Sequence, residues 1–475
     1  MWDHFFRLAA VPRPSKNEGR VAAHVLDLAK SAGLTAQQDP TGNIVVRKPA
    51  SRGKEKGPMV ALQSHLDMVC EKNRDVQHDF NRDGIQLVRN GGYICARGTT
   101  LGADNGIGVA AALTVMLDPS LEHGPLELLF TVDEETGLTG ANGLRSEFVK
   151  SRLLLNLDTE EEGSLYVGCA GGRDTLLTFG IGREQTPAGY LPFILVVKGL
   201  KGGHSGVEIH VGRGNALKLL GRALWEISRK INLRLVRMEG GSKRNAIPRE
   251  AEALVLVDPS DGDKLKDLVK QIDETAKAEY ATVDPGLELQ ARTDGAGTSE
   301  HPLRRADQDR IISILHTLPH GVMAMSADIP GLVETSTNVA TIETSPEKII
   351  VGTSQRSSVG SALHNMVSVV EAMGLLAGAS IEKTDGYPGW KPNLESQSLK
   401  VASKAYKELF GKEPAVKAIH AGLECGIIGE KFPGMDMVSL GPTIEGAHSP
   451  DERVEIASVQ KFWNLLLKIL KNLSE

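Results

Sequence analysis

Three apolar runs that each break into histidine or acidic residues constrain this chain more than any other feature. They are MVALQSHLDMV from Met59, LELLFTVD over 126–133 and LLLNLD over 153–158. Runs with so few polar interruptions read as strands buried on both faces, the pattern of a parallel sheet. Between the first two, GVAAALTVM at 108–116 is an Ala-rich helical stretch with Asp104 and Asn105 at its entrance. Strands alternating with helices predict an α/β fold with a mostly parallel central sheet, its functional groups gathered at the strand C-terminal ends.

After Gly189 the pattern changes. LPFILVVKG, a helix from about Asn215 to Lys230, INLRLVRM, AEALVLVD, a helix from about Lys264 to Tyr280 and LELQAR follow a β-α-β-β-α-β order, the ferredoxin-like plan. A second, incomplete copy follows: a helix at 309–318, NVATIET, KIIVGTSQ, a helix at 361–377 and ASIEKT. The first pattern resumes near Asp385 and closes on an amphipathic helix at 454–473. The organisation expected is 1–189 and 384–475 as two parts of one domain, interrupted at 190–383 by a doubled ferredoxin-like α+β insert. That insert is roughly twice the ~100 residues one such unit needs.

Composition excludes several classes. At about 150 residues per domain, 475 residues give roughly three domain-sized units. A net charge of −6, evenly spread, argues against nucleic-acid or polybasic membrane surfaces and favours small-molecule partners. Cys70, Cys95, Cys169 and Cys425 form no C-x-x-C pair, so neither a disulfide framework nor a thiolate metal cage is expected. The start of the chain has no basic leader, with Pro12 and Pro14 interrupting it, and no apolar run approaches the ~18 residues of a membrane span. A cytoplasmic location is the expectation.

His65 and Asp67 stand two apart at a strand end, so their side chains share a face, and one can bind metal while the other orients it. GADNGIG supplies Asp104, TVDEETG supplies Glu134 and Glu135, NLDTEEEG supplies Asp158, and GAHSPDE supplies His448. Singly, each is more often a cap or a solvated group. Together, two histidines and three carboxylates suffice for two zinc ions if one carboxylate bridges. Of two adjacent acids, one can be neutralised by a cation while the other stays free as a proton acceptor. The EEE at 160–162 reads as solvated surface, and Cys425 as a packing residue.

With FRLAAVPRPSKNE, SHLDMV, LGADNGIG, DEETGLTGA, LDTEEEG, GGHSG, HAGLECG and GAHSPDE in this order, the chain resembles the dinuclear zinc peptidases that include carboxypeptidase G, aminoacylases, peptidase T and carnosinases. Within that family it looks like the cytosolic bacterial branch acting on aminoacyl-histidine dipeptides. The resemblance implies a zinc-peptidase catalytic domain interrupted by a lid. It implies two Zn2+ per chain, with Co2+ or Mn2+ able to substitute. His65, Asp104 and Asp158 would hold one ion, and Asp104, Glu135 and His448 the other. Glu134 matches the general base and Asp67 the acid supporting His65.

In the lid, His204 of GGHSG resembles the histidine that stabilises the oxyanion on the scissile carbonyl. Asn245 matches a substrate-contacting asparagine, Asn338 is a weaker match, and Arg356 matches the arginine for a substrate carboxylate. His420 and Glu424 are expected to contact the substrate amine or the pocket. The implied function is hydrolysis of unblocked dipeptides, Xaa-His and β-alanyl-histidine among them, by a zinc-activated water. Homodimerisation through the lid is left open. A doubled lid implies that His204 and Arg356 serve the metals of their own chain. Two alternatives stand beside this: a related amidohydrolase of N-acyl amino acids, and a metal-stabilised peptide-binding protein without catalysis.

Overall fold

Val60–His65, Leu126–Thr131 and Leu153–Asn156 form the strands that the three apolar runs predict, and each is buried along its whole length. The computed structural model describes residues 1–293 and 300–475. They divide into two compact units, Met1–Cys169 with Trp390–Ala418 and Leu423–Glu475, and Ala170–Gly389 with Ile419–Gly422.

The first unit is built on an eight-stranded sheet. Val60–His65 pairs in parallel with Leu126–Thr131 on one side and Leu153–Asn156 on the other, and Asp436–Ser439 extends the parallel set. Ile44–Lys48 and Ser164–Cys169 flank this centre in antiparallel fashion. The sheet is therefore mixed, with a parallel core and antiparallel borders. That explains why the central runs are continuously apolar whereas the edge strand Thr35–Gln38 is polar and exposed. The Ala-rich segment forms the helix Ala103–Leu117, buried almost throughout, because its small side chains let it lie close against the sheet.

The second unit carries one nine-stranded sheet. Leu191–Lys198, Arg234–Gly240, Ala251–Val257 and Glu288–Thr293, with helices Ala216–Ser228 and Gly262–Tyr280, form the first β-α-β-β-α-β copy, fourth strand beside first. The copy that looks incomplete in sequence is complete: Gly171–Gly180 is its first strand, pairing Lys348–Ser357 on one side and Ser380–Lys383 on the other. This unit is thus wider than 190–383 at both ends. The first copy is nested between the opening strand of the second and the helix Arg305–Thr317 that follows it. The two copies meet where Gly240 faces Ile342. All four helices contribute to one apolar core through residues such as Leu220, Leu265, Leu315 and Val370. Among the described residues no helix is long and apolar enough to cross a membrane.

Candidate metal and catalytic centre

In-register pairing of the parallel strands decides where the chemistry sits. His65 is opposite Thr131, so the tails SHLD and TVDEE leave the sheet side by side, and Asp158 follows two residues beyond Asn156. Asp104 arrives at the head of its helix, where Asp104 and Asn105 keep non-helical backbone angles and are joined by a cis peptide. His448, at φ 63°, sits in the loop between the short strands Ile444–Glu445 and Arg453–Glu455.

These five residues converge. His65 Nε2 lies 3.1 Å from Asp104 Oδ1 and 3.3 Å from Asp158 Oδ1. His448 Nε2 lies 3.1 Å from Asp104 Oδ2 and 3.1 Å from Glu135 Oε2. Asp104 thus turns one oxygen to each histidine, and the two triads His65–Asp104–Asp158 and Asp104–Glu135–His448 share it. Both imidazoles are held above their ordinary range, His448 by hydrogen bonds to Asp104 and Glu135, His65 by Asp158, Asp104 and Asp67 against its burial.

Asp67 lies behind His65, with Oδ1 3.3 Å from Nδ1. It also accepts Ser15 Oγ at 2.8 Å and the backbone N–H groups of Glu134 and Glu135 at 3.1 and 3.2 Å. Burial opposes its ionisation, but His65, Ser15 and Glu134 outweigh burial and hold the carboxyl at about 2. Its carboxylate faces Nδ1 of His65, while Nε2 faces Asp104 and Asp158. Asp133, at φ 50°, accepts the hydroxyls of Thr136 and Thr139 and donates its N–H to Glu18 Oε1 at 2.9 Å. Ser15 and Glu18 belong to the opening motif, so that motif supports the ends of two strands distant in sequence.

Glu134 belongs to the same cluster as His65 and Glu135. Burial pushes its carboxyl well above the usual range, with Asp158, Glu424 and Glu135 adding to the effect and His65 opposing it.

Glu160 and Glu161 are exposed, as the sequence reading has them, and Glu162 is partly buried. Glu162 accepts Tyr406 O–H at 3.0 Å and Lys461 Nζ at 3.1 Å, and Glu161 accepts Lys417 Nζ at 2.6 Å. Glu160 is pushed up to about 8, its carboxyl shielded by the surrounding protein although the residue as a whole is exposed, with the nearby Asp104 and Asp158 adding to the effect. Glu424, expected at the substrate amine or the pocket, is fully buried, and its Oε2 accepts Gln63 Nε2 at 2.6 Å and Thr131 Oγ1 at 2.7 Å. Burial pushes it up to about 7.

The second unit brings four of its candidate residues together. The His204 loop and the His420 loop touch, since a Cβ on Gly206 would come within 2.3 Å of the His420 carbonyl and 2.9 Å of His204 Cε1. His420 bonds Ser336 Oγ at 2.7 Å, and Ser336 faces Arg356 across the strands. Arg356 donates to Tyr387 Oη at 2.9 Å. His204 Nδ1 accepts the N–H groups of Gly206 and Val207 at 3.2 and 3.1 Å, which places the proton of the neutral ring on Nε2. Burial first, then Arg356, lowers its pKa and keeps it neutral. Asn245 is exposed, and its carbonyl accepts Ser205 N–H at 2.8 Å. Asn338 is not free to meet a ligand: it is 1% exposed, and its amide donates to the carbonyls of Ala246 and Arg244 at 2.8 and 3.3 Å. It braces the Asn245 hairpin from behind.

A cation fits the first unit's cluster on the structure's own terms. Among the described residues the donors are imidazole nitrogens and carboxylate oxygens with no thiolate, and Glu135 Oε1 is buried without a hydrogen-bond partner there. Such a set suits a borderline divalent metal.

A sheet whose strand ends converge on a carboxylate shared between two histidines, with a free acid alongside, makes this chain a metal-dependent hydrolase. It belongs to peptidase family M20/M25/M40, whose family model matches residues 61–472. The chain is 45% identical over 473 residues to the cytosol non-specific dipeptidase of Escherichia coli (strain K12), covering 100% of this chain and 97% of that one. It superposes with a TM-score of 0.93 and 44% identity on the aminoacylhistidine dipeptidase of Vibrio alginolyticus, covering 99% of this chain and 96% of that one. Aminopeptidase PepT from Bacillus cereus, at 17% identity and a TM-score of 0.58 over 100% and 98% of the two chains, shares the fold.

Proposed function

We propose that this chain hydrolyses the peptide bond of unblocked dipeptides, Xaa-His and β-alanyl-histidine among them, with two zinc ions per chain in a cytoplasmic setting. The observation that carries the reading is the Asp104 carboxylate turned to His65 on one side and His448 on the other, with Glu134 in the same cluster. His65, Asp104 and Asp158 would hold one ion, and Asp104, Glu135 and His448 the other. Bound there, the ions supply a lowered water pKa and a polarised scissile carbonyl. The similarity to two dipeptidases over nearly whole chains, and four free cysteines, support the substrate class and the reducing location.

The chain's own groups account for the remaining steps. Glu134 takes the protons of the attacking water and passes them to the leaving nitrogen, so that water and one amide become a carboxylate and a protonated amine. Asp67 keeps His65 in the tautomer that presents Nε2. His204 offers Nε2–H to the developing oxyanion, a role its neutral tautomer supports. Arg356 grips the substrate carboxylate with its guanidinium, and Asn245 and His420 contact the rest of the dipeptide.

The test is a panel of free dipeptides and N-acyl amino acids, assayed with zinc, manganese and cobalt. Turnover of Xaa-His dipeptides well above N-acyl amino acids supports the reading. The reverse preference would make the chain an amidohydrolase, and binding without cleavage would make it a peptide-binding protein.

A further inference from the structure

Two buried charged side chains outside the cluster bind the backbone that carries Asp104 and the segment just after His65. Glu452, 2% exposed, accepts four consecutive N–H groups. Oε2 takes those of Leu101 and Gly102 at 2.7 and 2.9 Å, and Oε1 those of Ala103 and Asp104 at 2.8 and 3.3 Å. Arg13, 3% exposed, donates Nη1 to the carbonyls of Leu66 and Asp67 at 2.9 and 2.7 Å, and Nη2 to the carbonyl of Gly102. The two groups also attract one another electrostatically.

Burying two charges costs several kcal/mol unless each is fully hydrogen-bonded, and here the bonds go to one short loop and one strand end. Sequence position gives those bonds their consequence. Glu452 closes the loop of His448, so its carboxylate ties the His448 motif to the Asp104 loop. Arg13 ties that same loop to the segment just after His65. The glycines of LGADNGIG make room: a Cβ on Gly102, which sits at φ +69°, would come within 2.5 Å of Arg13 Nη2, and one on Gly106 within 2.8 Å.

From this geometry we infer that Glu452 and Arg13 are positioning residues of the metal centre, fixing the distance of Asp104 from His65 and from His448 and so setting metal affinity. The inference rests on the reading of Asp104 as the shared ligand. The carboxylate of Glu452 is essential in this account because only an acceptor pair can receive four N–H groups. A Gln would turn an NH2 donor toward two of them.

The variants Glu452→Gln, Arg13→Lys and Asp104→Asn would be compared with the parent in three measurements. These are zinc affinity by chelator competition, zinc per chain after dialysis, and melting temperature of the metal-free protein. Glu452→Gln and Arg13→Lys should weaken zinc binding roughly 10- to 100-fold and shrink the zinc-induced rise in melting temperature. Their metal-free melting temperatures should fall too little to account for the lost zinc affinity, and excess zinc should restore much of the lost turnover. Unchanged zinc affinity in both variants overturns the inference, as does a fall in metal-free stability that accounts for the whole loss, or failure of both variants to fold. Unchanged zinc content in Asp104→Asn would instead overturn the reading of the centre itself.

Discussion

Asp104 Oδ2 meets His448 Nε2 at 3.1 Å although 344 residues separate the two in the chain. Its other oxygen is committed to His65. Replacing Asp104 with Asn keeps the size but removes the charge that two cations would share. Asp104→Asn should therefore lose bound metal, measured as metal per chain after dialysis, together with nearly all turnover. Full metal content in this variant would show that Asp104 is not the shared ligand.

His204 is expected to act on the transition state more than on the bound substrate. His204→Ala should retain its metal and lower kcat by ~10²-fold or more with a modest change in KM. A change confined to KM would make His204 a binding group and contradict the role.

A pH-dependent stability term follows from His420. Burial first, then the Arg356 guanidinium, pushes its imidazole down to about 3, against 6.5 for an ordinary histidine. The unfolded chain therefore takes up the proton first. Stability from this site is fully present above about pH 6.5 and is lost as pH falls from there toward about 3. His420→Gln removes the term, so its loss of stability between about pH 7.5 and pH 5 should be smaller than the parent's by about 2 kcal/mol. Equal losses in thermal or denaturant melts would remove His420 from the account.

The nine-stranded sheet holds two ferredoxin-like copies within one chain. His204 and Arg356 are accordingly expected to serve the metal centre of their own chain. Mixing His204→Ala with Glu134→Gln, under conditions that allow subunits to exchange, should restore no appreciable activity. Substantial recovery would mean that these residues work in the partner's centre.

Residues standing where an apolar run breaks were readable from sequence. His65, Glu134, Glu135 and Asp158 all sit at the ends of strands whose burial the runs announce, and the ordered motifs supplied Asp104 and His448. What escaped lies in pairings that no local pattern records. The strand Gly171–Gly180 reads as part of the first domain, because its partner strand Lys348–Ser357 lies some 170 residues downstream. Arg13, Ser15, Glu18 and Glu452 carry ordinary surface chemistry, and only burial against distant backbone gives them their tasks. The motif of Glu424 points to the substrate amine or the pocket without naming its partners, which are Gln63 and Thr131, polar residues within buried strands. Those two residues were a signal in the sequence, since a polar side chain in a two-faced buried strand needs a partner.

The most direct test of the central claim is metal content and dipeptide turnover measured together on Glu134→Gln. The variant should hold as much metal as the parent while its kcat falls by ~10²- to 10⁴-fold, the usual contribution of a general base, with KM little changed. Near-parental turnover with full metal would contradict the assignment of Glu134 as the group that moves the proton.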